Sequence, residues 1–219
     1  MTTFLVTGAN RGIGYELCRQ LQASGETVIA VCRSSSPELE HLGVQVEADI
    51  DISSDKSVAH LKKRLQGVVI NVLINNAGMA QKNTLDDLNF DSIRQQFEVN
   101  ALGALRITQV LLPNLKAGSK IAIITSRMGS ITDNTSGGYY GYRMSKAALS
   151  MAGKSLSIDL QPRQIAVAIL HPGMVSTDMT DHSGIPAADS VRGILERINQ
   201  LNLQNSGTFW HANGEELPW

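Results

Sequence analysis

Tyr142 and Lys146 stand four residues apart in Tyr-Arg-Met-Ser-Lys-Ala-Ala-Leu, a run with neither Gly nor Pro. At helical spacing both side chains fall on one face, so a phenol and an ammonium lie side by side. An isolated tyrosine titrates near about 10, and an adjacent cation favours the phenolate and lowers that value. The pair therefore reads as a general acid/base made from tyrosine. Ser126 closes the apolar run Lys120-Ile-Ala-Ile-Ile-Thr-Ser126, which reads as a buried strand. Its hydroxyl could hydrogen-bond a substrate oxygen. Taken alone, Tyr-x-x-x-Lys also fits a surface pair on an amphipathic helix, so its meaning depends on the elements that position it.

Those elements begin with a short strand, Phe4-Leu-Val, that runs into Thr7-Gly8-Ala9-Asn10-Arg11-Gly12-Ile13-Gly14 and then a helix marked by Ile13, Leu17 and Leu21. Glycines in such a loop let the backbone approach a pyrophosphate, and the helix N-terminus supplies N–H donors and partial positive charge. The spacing is Gly-x-x-x-Gly-x-Gly, and its position between first strand and first helix favours a dinucleotide over a plain turn. After a second strand, Thr27–Cys32, an acidic residue would hold the ribose 2′-hydroxyl of NAD. Arg33, Ser34 and Ser35 stand there instead, and no acid follows the strand until Glu38. Arg33, assisted by Arg11, can pair with a 2′-phosphate, which favours NADP(H).

A third strand at Val44–Ile50 leads to Asp51, readable as a residue beside the adenine or as a turn or capping residue, and then to a helix at 56–65. A fourth strand, Val69–Ile74, ends in Asn75-Asn76-Ala77-Gly78, at the carboxyl edge where open α/β sheets place ligands. Asp91–Lys116 reads as one long helix with Asn100 and Gly103 at its middle. Asparagine is a poor interior helix residue, so Asn100 is either a tolerated polar position or a kink whose weight depends on what it faces. The strand at 120–126 and a helix at Tyr139–Leu160 follow. A sixth strand, Ile165–Leu170, precedes His171-Pro172-Gly173-Met174-Val175-Ser176-Thr177; a helix at 189–201 and a short strand at 207–211 complete the pattern. Alternating strands and helices specify an α/β doubly wound parallel sheet of about seven strands with right-handed crossovers. The connection from Arg33 to Gly43 has room for little more than a single helical turn.

The 219 residues, 42% apolar and 18% charged, suit one domain over 1–219 with a sizeable core. A net charge of −1 without a basic block argues against nucleic acid or an anionic membrane as partner. The start at Met1 has neither a basic region nor a long apolar run, which points to the cytoplasm. Cys18 and Cys32 give no disulfide framework and no metal spacing, and read as buried thiols.

Together these motifs resemble the short-chain dehydrogenase/reductase family, with its Thr-Gly-x-x-x-Gly-x-Gly loop, Asn-Asn-Ala-Gly, a serine ahead of Tyr-x-x-x-Lys, and Pro-Gly in that order. Ser126-Arg-Met-Gly-Ser, Gly137-Gly-Tyr-Tyr-Gly-Tyr, Ser206-Gly-Thr-Phe and Glu216-Leu-Pro-Trp are most similar to its C-factor-like carbonyl reductase branch. The resemblance implies that Tyr142 donates a proton, Lys146 binds the nicotinamide ribose and lowers the tyrosine pKa, and Ser126 orients a substrate carbonyl. It also implies that Asn100 holds a water linking Lys146 to solvent, that Thr177 and the Val175 backbone contact the carboxamide beyond Pro172-Gly173, and that Asn76, Ala77 and Gly78 flank the adenosine ribose. The expected reaction is NADPH-dependent reduction of a ketone or aldehyde by a homodimer or homotetramer. The alternatives are an NAD-dependent alcohol dehydrogenase and a nucleotide-binding signalling protein without turnover.

Two features depart from the family pattern. Ser126 precedes Tyr142 by sixteen residues where thirteen is usual, and Tyr139 stands at thirteen. Four residues after Tyr139 comes Arg143, which has no accessible neutral form, so Tyr142 with Lys146 is the reading taken and the added residues are a loop that shapes the pocket. The stretch from Gly173 to Trp219 is short for a lid, which suggests an open pocket of broad range. Met128, Tyr139, Tyr140, Met174, Met179 and Trp210 are candidate walls or simply core.

Overall fold

The computed structural model describes residues 1–219. Seven strands form one all-parallel sheet in the order β3-β2-β1-β4-β5-β6-β7. They are β1 (Thr3–Thr7), β2 (Thr27–Val31), β3 (Gln45–Glu47), β4 (Ile70–Asn75), β5 (Leu115–Ile124), β6 (Ala166–His171) and β7 (Phe209–His211). The helices are α1 (Gly12–Ala23), α2 (Pro37–His41), α3 (Asp55–Arg64), α4 (Phe90–Phe97), α5 (Ala104–Leu111), α6 (Tyr140–Asp159) and α7 (Ala187–Gln200). No helix is long and apolar enough to cross a membrane.

The central strands β1, β4 and β6 are largely apolar on both faces because both faces are covered. Phe4 and Val6 join Leu17 and Leu21 of α1 and Val191, Ile194 and Ile198 of α7 in one core layer. Leu5, between them, joins Val58 and Leu61 of α3, Ile107 and Leu111 of α5 and Leu149 of α6 in the other. The two-residue period of the strand thus divides its side chains between two cores. The architecture is the Rossmann fold, and the strand order reverses between β1 and β4, so the loops after them flank a crevice.

The short crossover behaves as its length requires: Ser36 caps Pro37–His41, its Oγ accepting from Leu39 N at 3.2 Å. The long helix does not. Residues 91–116 divide into α4, a π-helical segment Glu98–Gly103, α5 and a 3₁₀ turn Leu112–Asn114 holding Pro113, after which β5 begins at Leu115 rather than Lys120. Pro113 has no N–H with which to continue the helix. Ser119 Oγ accepts from Lys116 N at 2.9 Å and donates to Ile70 O at 3.0 Å, turning residues 116–119 into an irregularity where the β4–β5 register shifts. Gly103 lets the π segment lie against Ile52, since a Cβ there would stand 2.8 Å from that side chain.

Candidate active site

Three successive left-handed residues, Gly137, Gly138 and Tyr139 (φ +61°, +63° and +51°), precede the first turn of α6. They set Tyr139 outside the helix and Tyr142 within it. Tyr139 lies outside the helix, and Arg143 turns back to donate to Gly137 O at 3.2 Å, Met128 O at 3.4 Å and Ser136 Oγ at 2.8 Å. Arg143 staples the added loop, while Tyr142 and Lys146 share a face with Lys146 Nζ 5.7 Å from the phenol ring centre.

Lys146 is only 4% exposed, and its Nζ donates to Ile124 O at 3.0 Å, near the end of β5. Burial without a neighbouring carboxylate pulls its pKa down to about 8. Tyr142 departs from the sequence expectation: burial pushes the phenol up, and the Ser126 hydroxyl acts in the opposite direction. Desolvation is the larger of the two, because burial disfavours the charged phenolate. Ser126, buried at the end of β5, accepts from Met128 N at 3.1 Å.

Asn100 lies in the π segment and is completely buried. Its Oδ1 accepts from Met79 N at 2.8 Å, and its Nδ2 donates to Met79 O at 2.8 Å and Ser145 Oγ at 2.9 Å. Both side-chain N–H bonds go to protein, so this side chain clamps the loop after β4 to α6. A Cβ on Gly78 would stand 3.2 Å from Asn100 Oδ1 and 3.4 Å from Lys146 Nζ, which places that loop beside the pair.

At the strand-order reversal, Thr7 Oγ1 accepts from Asn76 N and Ala77 N, both at 3.1 Å. Asn76 Nδ2 donates to Thr7 O at 3.0 Å and Gly8 O at 3.3 Å. The glycine loop folds so tightly that a Cβ on Gly14 would lie 2.1 Å from Gly8 O. Gly8 and Gly12 adopt left-handed φ of +67° and +54°, and the N-terminus of α1, next to Asn10, has no side-chain cap. Its first-turn N–H groups of Gly12, Ile13 and Gly14 have no intrahelical acceptor, the arrangement that binds phosphate. Thr177 approaches from the loop after Pro172-Gly173, its Cγ2 3.3 Å from where a Cβ of Gly12 would be. The Val175 carbonyl in that loop accepts from Thr180 Oγ1 at 2.5 Å.

The two arginines separate. Arg11 Nη1 pairs with Asp178 Oδ2 at 2.9 Å, bridging the loops after β1 and β6. Arg33 is exposed past the end of β2 and lines a cleft with Asp51, Ser53, Gln95, Glu98 and Val99. Asp51 is both turn residue and cleft wall: its Oδ1 accepts from Ser53 Oγ at 2.6 Å and Ser53 N at 2.9 Å, and these bonds lower its pKa. The Ser35 hydroxyl is buried with no hydrogen-bond partner.

Of the candidate walls, Met174 and Met179 are 60% and 50% exposed, whereas Trp210, partly buried, packs against the core layer of α1 and α7. Sequence reasoning missed Arg127, which pairs with Asp133 at 2.6 Å and Glu215 at 3.3 Å and braces the added loop against the segment after β7. It also missed His171, held down to about 3 by burial, His211, Arg127 and Lys146. Glu215, 88 residues from Arg127, and His211, forty residues from His171, are contacts that local sequence does not reveal. Cys18 and Cys32 are free, buried thiols, and burial pushes Cys18 up to about 12.

The short chain dehydrogenase model matches residues 2–186. The chain is 41% identical over 226 residues to the 1-hydroxy-2-glutathionyl-2-methyl-3-butene dehydrogenase of Rhodococcus sp. (strain AD45), covering 100% of both chains. It is 48% identical over 154 residues to the C-signal of Myxococcus xanthus, covering 68% of this chain and 93% of that one. The crystal structure of NADPH-bound carbonyl reductase from chicken fatty liver superposes with a TM-score of 0.89 at 30% identity, over 100% of this chain and 99% of that one. With an ordered Ser, Tyr, Lys and Asn set at the carboxyl edge of a Rossmann sheet, the chain belongs to the short-chain dehydrogenase/reductase family of oxidoreductases.

Proposed function

We propose that this enzyme reduces the carbonyl of a ketone or aldehyde with NADPH, using Tyr142 as proton donor. The observation that carries this reading is the convergence of the Ser126 hydroxyl, the Tyr142 phenol and the buried Lys146 ammonium at one strand end. The residues fit the nucleotide. The uncapped α1 N-terminus and the close glycine loop suit its pyrophosphate, with Asn76, Ala77 and Gly78 beside the adenosine ribose and Val175 and Thr177 at the carboxamide. Exposed Arg33 and the partnerless Ser35 hydroxyl suit a 2′-phosphate.

When bound, the nucleotide supplies a hydride to the carbonyl carbon. As the carbonyl π pair moves onto oxygen, the Ser126 and Tyr142 hydroxyls donate hydrogen bonds where the charge appears, and Tyr142 transfers its proton to give the alcohol. Lys146 stabilises the phenolate that remains. Burial keeps the Tyr142 phenol protonated, the form in which it can donate a proton to the substrate oxygen. The reverse reading, oxidation of an alcohol, is kept by the Rhodococcus relative, whose name is that of a dehydrogenase.

Following NADPH absorbance with a panel of aldehydes, quinones and diketones tests the proposal. Consumption with some of these is expected; tight nucleotide binding without consumption would favour a sensor instead. Arg33→Asp removes one charge-assisted pairing and adds a repulsion, so the preference in kcat/KM for NADPH over NADH should fall at least about tenfold. An unchanged ratio would assign the 2′-phosphate to other residues.

A further inference from the structure

The cleft that contains Arg33 has two walls of different origin. Asp51 and Ser53 come from the segment after β3, while Glu98 and Val99 come from the π segment. A third element joins them. Arg106 of α5, its side chain only 18% exposed, donates from Nη1 to Ile52 O at 3.0 Å and from Nη2 to Glu98 Oε1 at 2.7 Å. Its Nε is bound to the Asp55 carboxylate at the start of α3. Ile52 lies between the wall residues Asp51 and Ser53, and Glu98 is itself a wall residue. One planar guanidinium therefore holds both sides of the cleft, and its fixed fork leaves little freedom in the distance between them. Gly103, pressed against the Ile52 side chain, provides the packing half of the same joint.

We propose that Arg106 is a positioning residue that sets the width of the slot for the adenosine half of the nucleotide. This rests on the nucleotide reading above. The brace acts on Glu98 and the Asp51–Ser53 turn, whereas Asn100, in the same π segment, is fastened independently by its three bonds to Met79 and Ser145. Loss of the brace therefore separates nucleotide affinity from chemistry. Lysine cannot replace arginine here, since one ammonium has neither the span nor the planarity to reach three acceptors on three elements.

The test is Arg106→Gln, read by fluorescence titration with 2′,5′-ADP and by steady-state kinetics with NADPH. The expected result is an affinity for 2′,5′-ADP and a KM for NADPH each weakened by about tenfold, with kcat within about twofold of the starting enzyme. Glu98→Gln keeps the guanidinium and its bonds to Ile52 and Asp55, and should give a smaller loss of the same kind; it carries the test if Arg106→Gln does not fold. A residue that only stabilised the fold would lower the active fraction, reducing apparent kcat and leaving KM unchanged. That outcome, or folded variants with unaltered affinity for 2′,5′-ADP, overturns the proposal. Failure of the unmutated enzyme to bind 2′,5′-ADP overturns the nucleotide reading and the proposal with it.

Discussion

Tyr142→Phe is expected to lower turnover by about 100- to 10,000-fold while leaving the nucleotide dissociation constant within about twofold of the unmutated enzyme. The ring remains, so the packing of α6 against the site and the position of Lys146 Nζ near its face persist. What is lost is the only hydroxyl that combines a transferable proton with an adjacent cation able to stabilise the conjugate base. Ser126 still donates a hydrogen bond to the oxygen, but a serine hydroxyl is far too weak an acid to complete the transfer. Single-turnover NADPH oxidation with a nucleotide titration beside it separates the two effects, and turnover equal to that of the unmutated enzyme would remove Tyr142 from the mechanism.

Lys146→Met should make the nucleotide-free protein more stable at neutral pH and nearly inactive. Burial lowers the amine from its ordinary 10.5 to about 8, so between those values the folded state binds fewer protons than the unfolded chain. Stability therefore rises as pH climbs from about 8 to about 10.5, and at neutral pH the folded protein carries the full penalty of a dehydrated ammonium, up to about 3 kcal/mol. Methionine removes that penalty while keeping a similar unbranched volume, and the hydrogen bond lost at Ile124 O offsets about 1 kcal/mol. The melting temperature should rise at pH 7, with the advantage shrinking toward pH 10.5; a lower melting temperature at pH 7 would contradict the desolvation argument. Activity should fall by about 100-fold or more, because the phenolate left by proton transfer loses its cation. Strain of this kind is retained where function uses it.

The two predictions differ in how much of their basis was legible beforehand. That Tyr142 and Lys146 share a face follows from helical spacing alone, as does the choice of Lys146 over Arg143 from the chemistry of an amine against a guanidinium. The direction of the tyrosine shift does not follow. A neighbouring cation predicts a lowered value, yet burial raises it, and burial is a sum over groups that adjacent residues do not reveal. Arg11 is similar: its place in the glycine loop suggests a phosphate, and its exposed ion pair with Asp178, 167 residues away, is a contact that local sequence does not reveal.

From spacing and composition by themselves came the alternation of strands and helices that specifies a parallel sheet, the short crossover between Arg33 and Gly43, the glycine loop between first strand and first helix, and the shared face of Tyr142 and Lys146, since each is read from residues close along the chain. Tertiary structure decided the division of the 91–116 helix around a π segment and Pro113, the clamp made by Asn100, the brace made by Arg106, and the protonation preferences of Tyr142 and Lys146. Those rest on which distant side chains exclude water and offer hydrogen bonds, and periodicity along a chain carries information about neither.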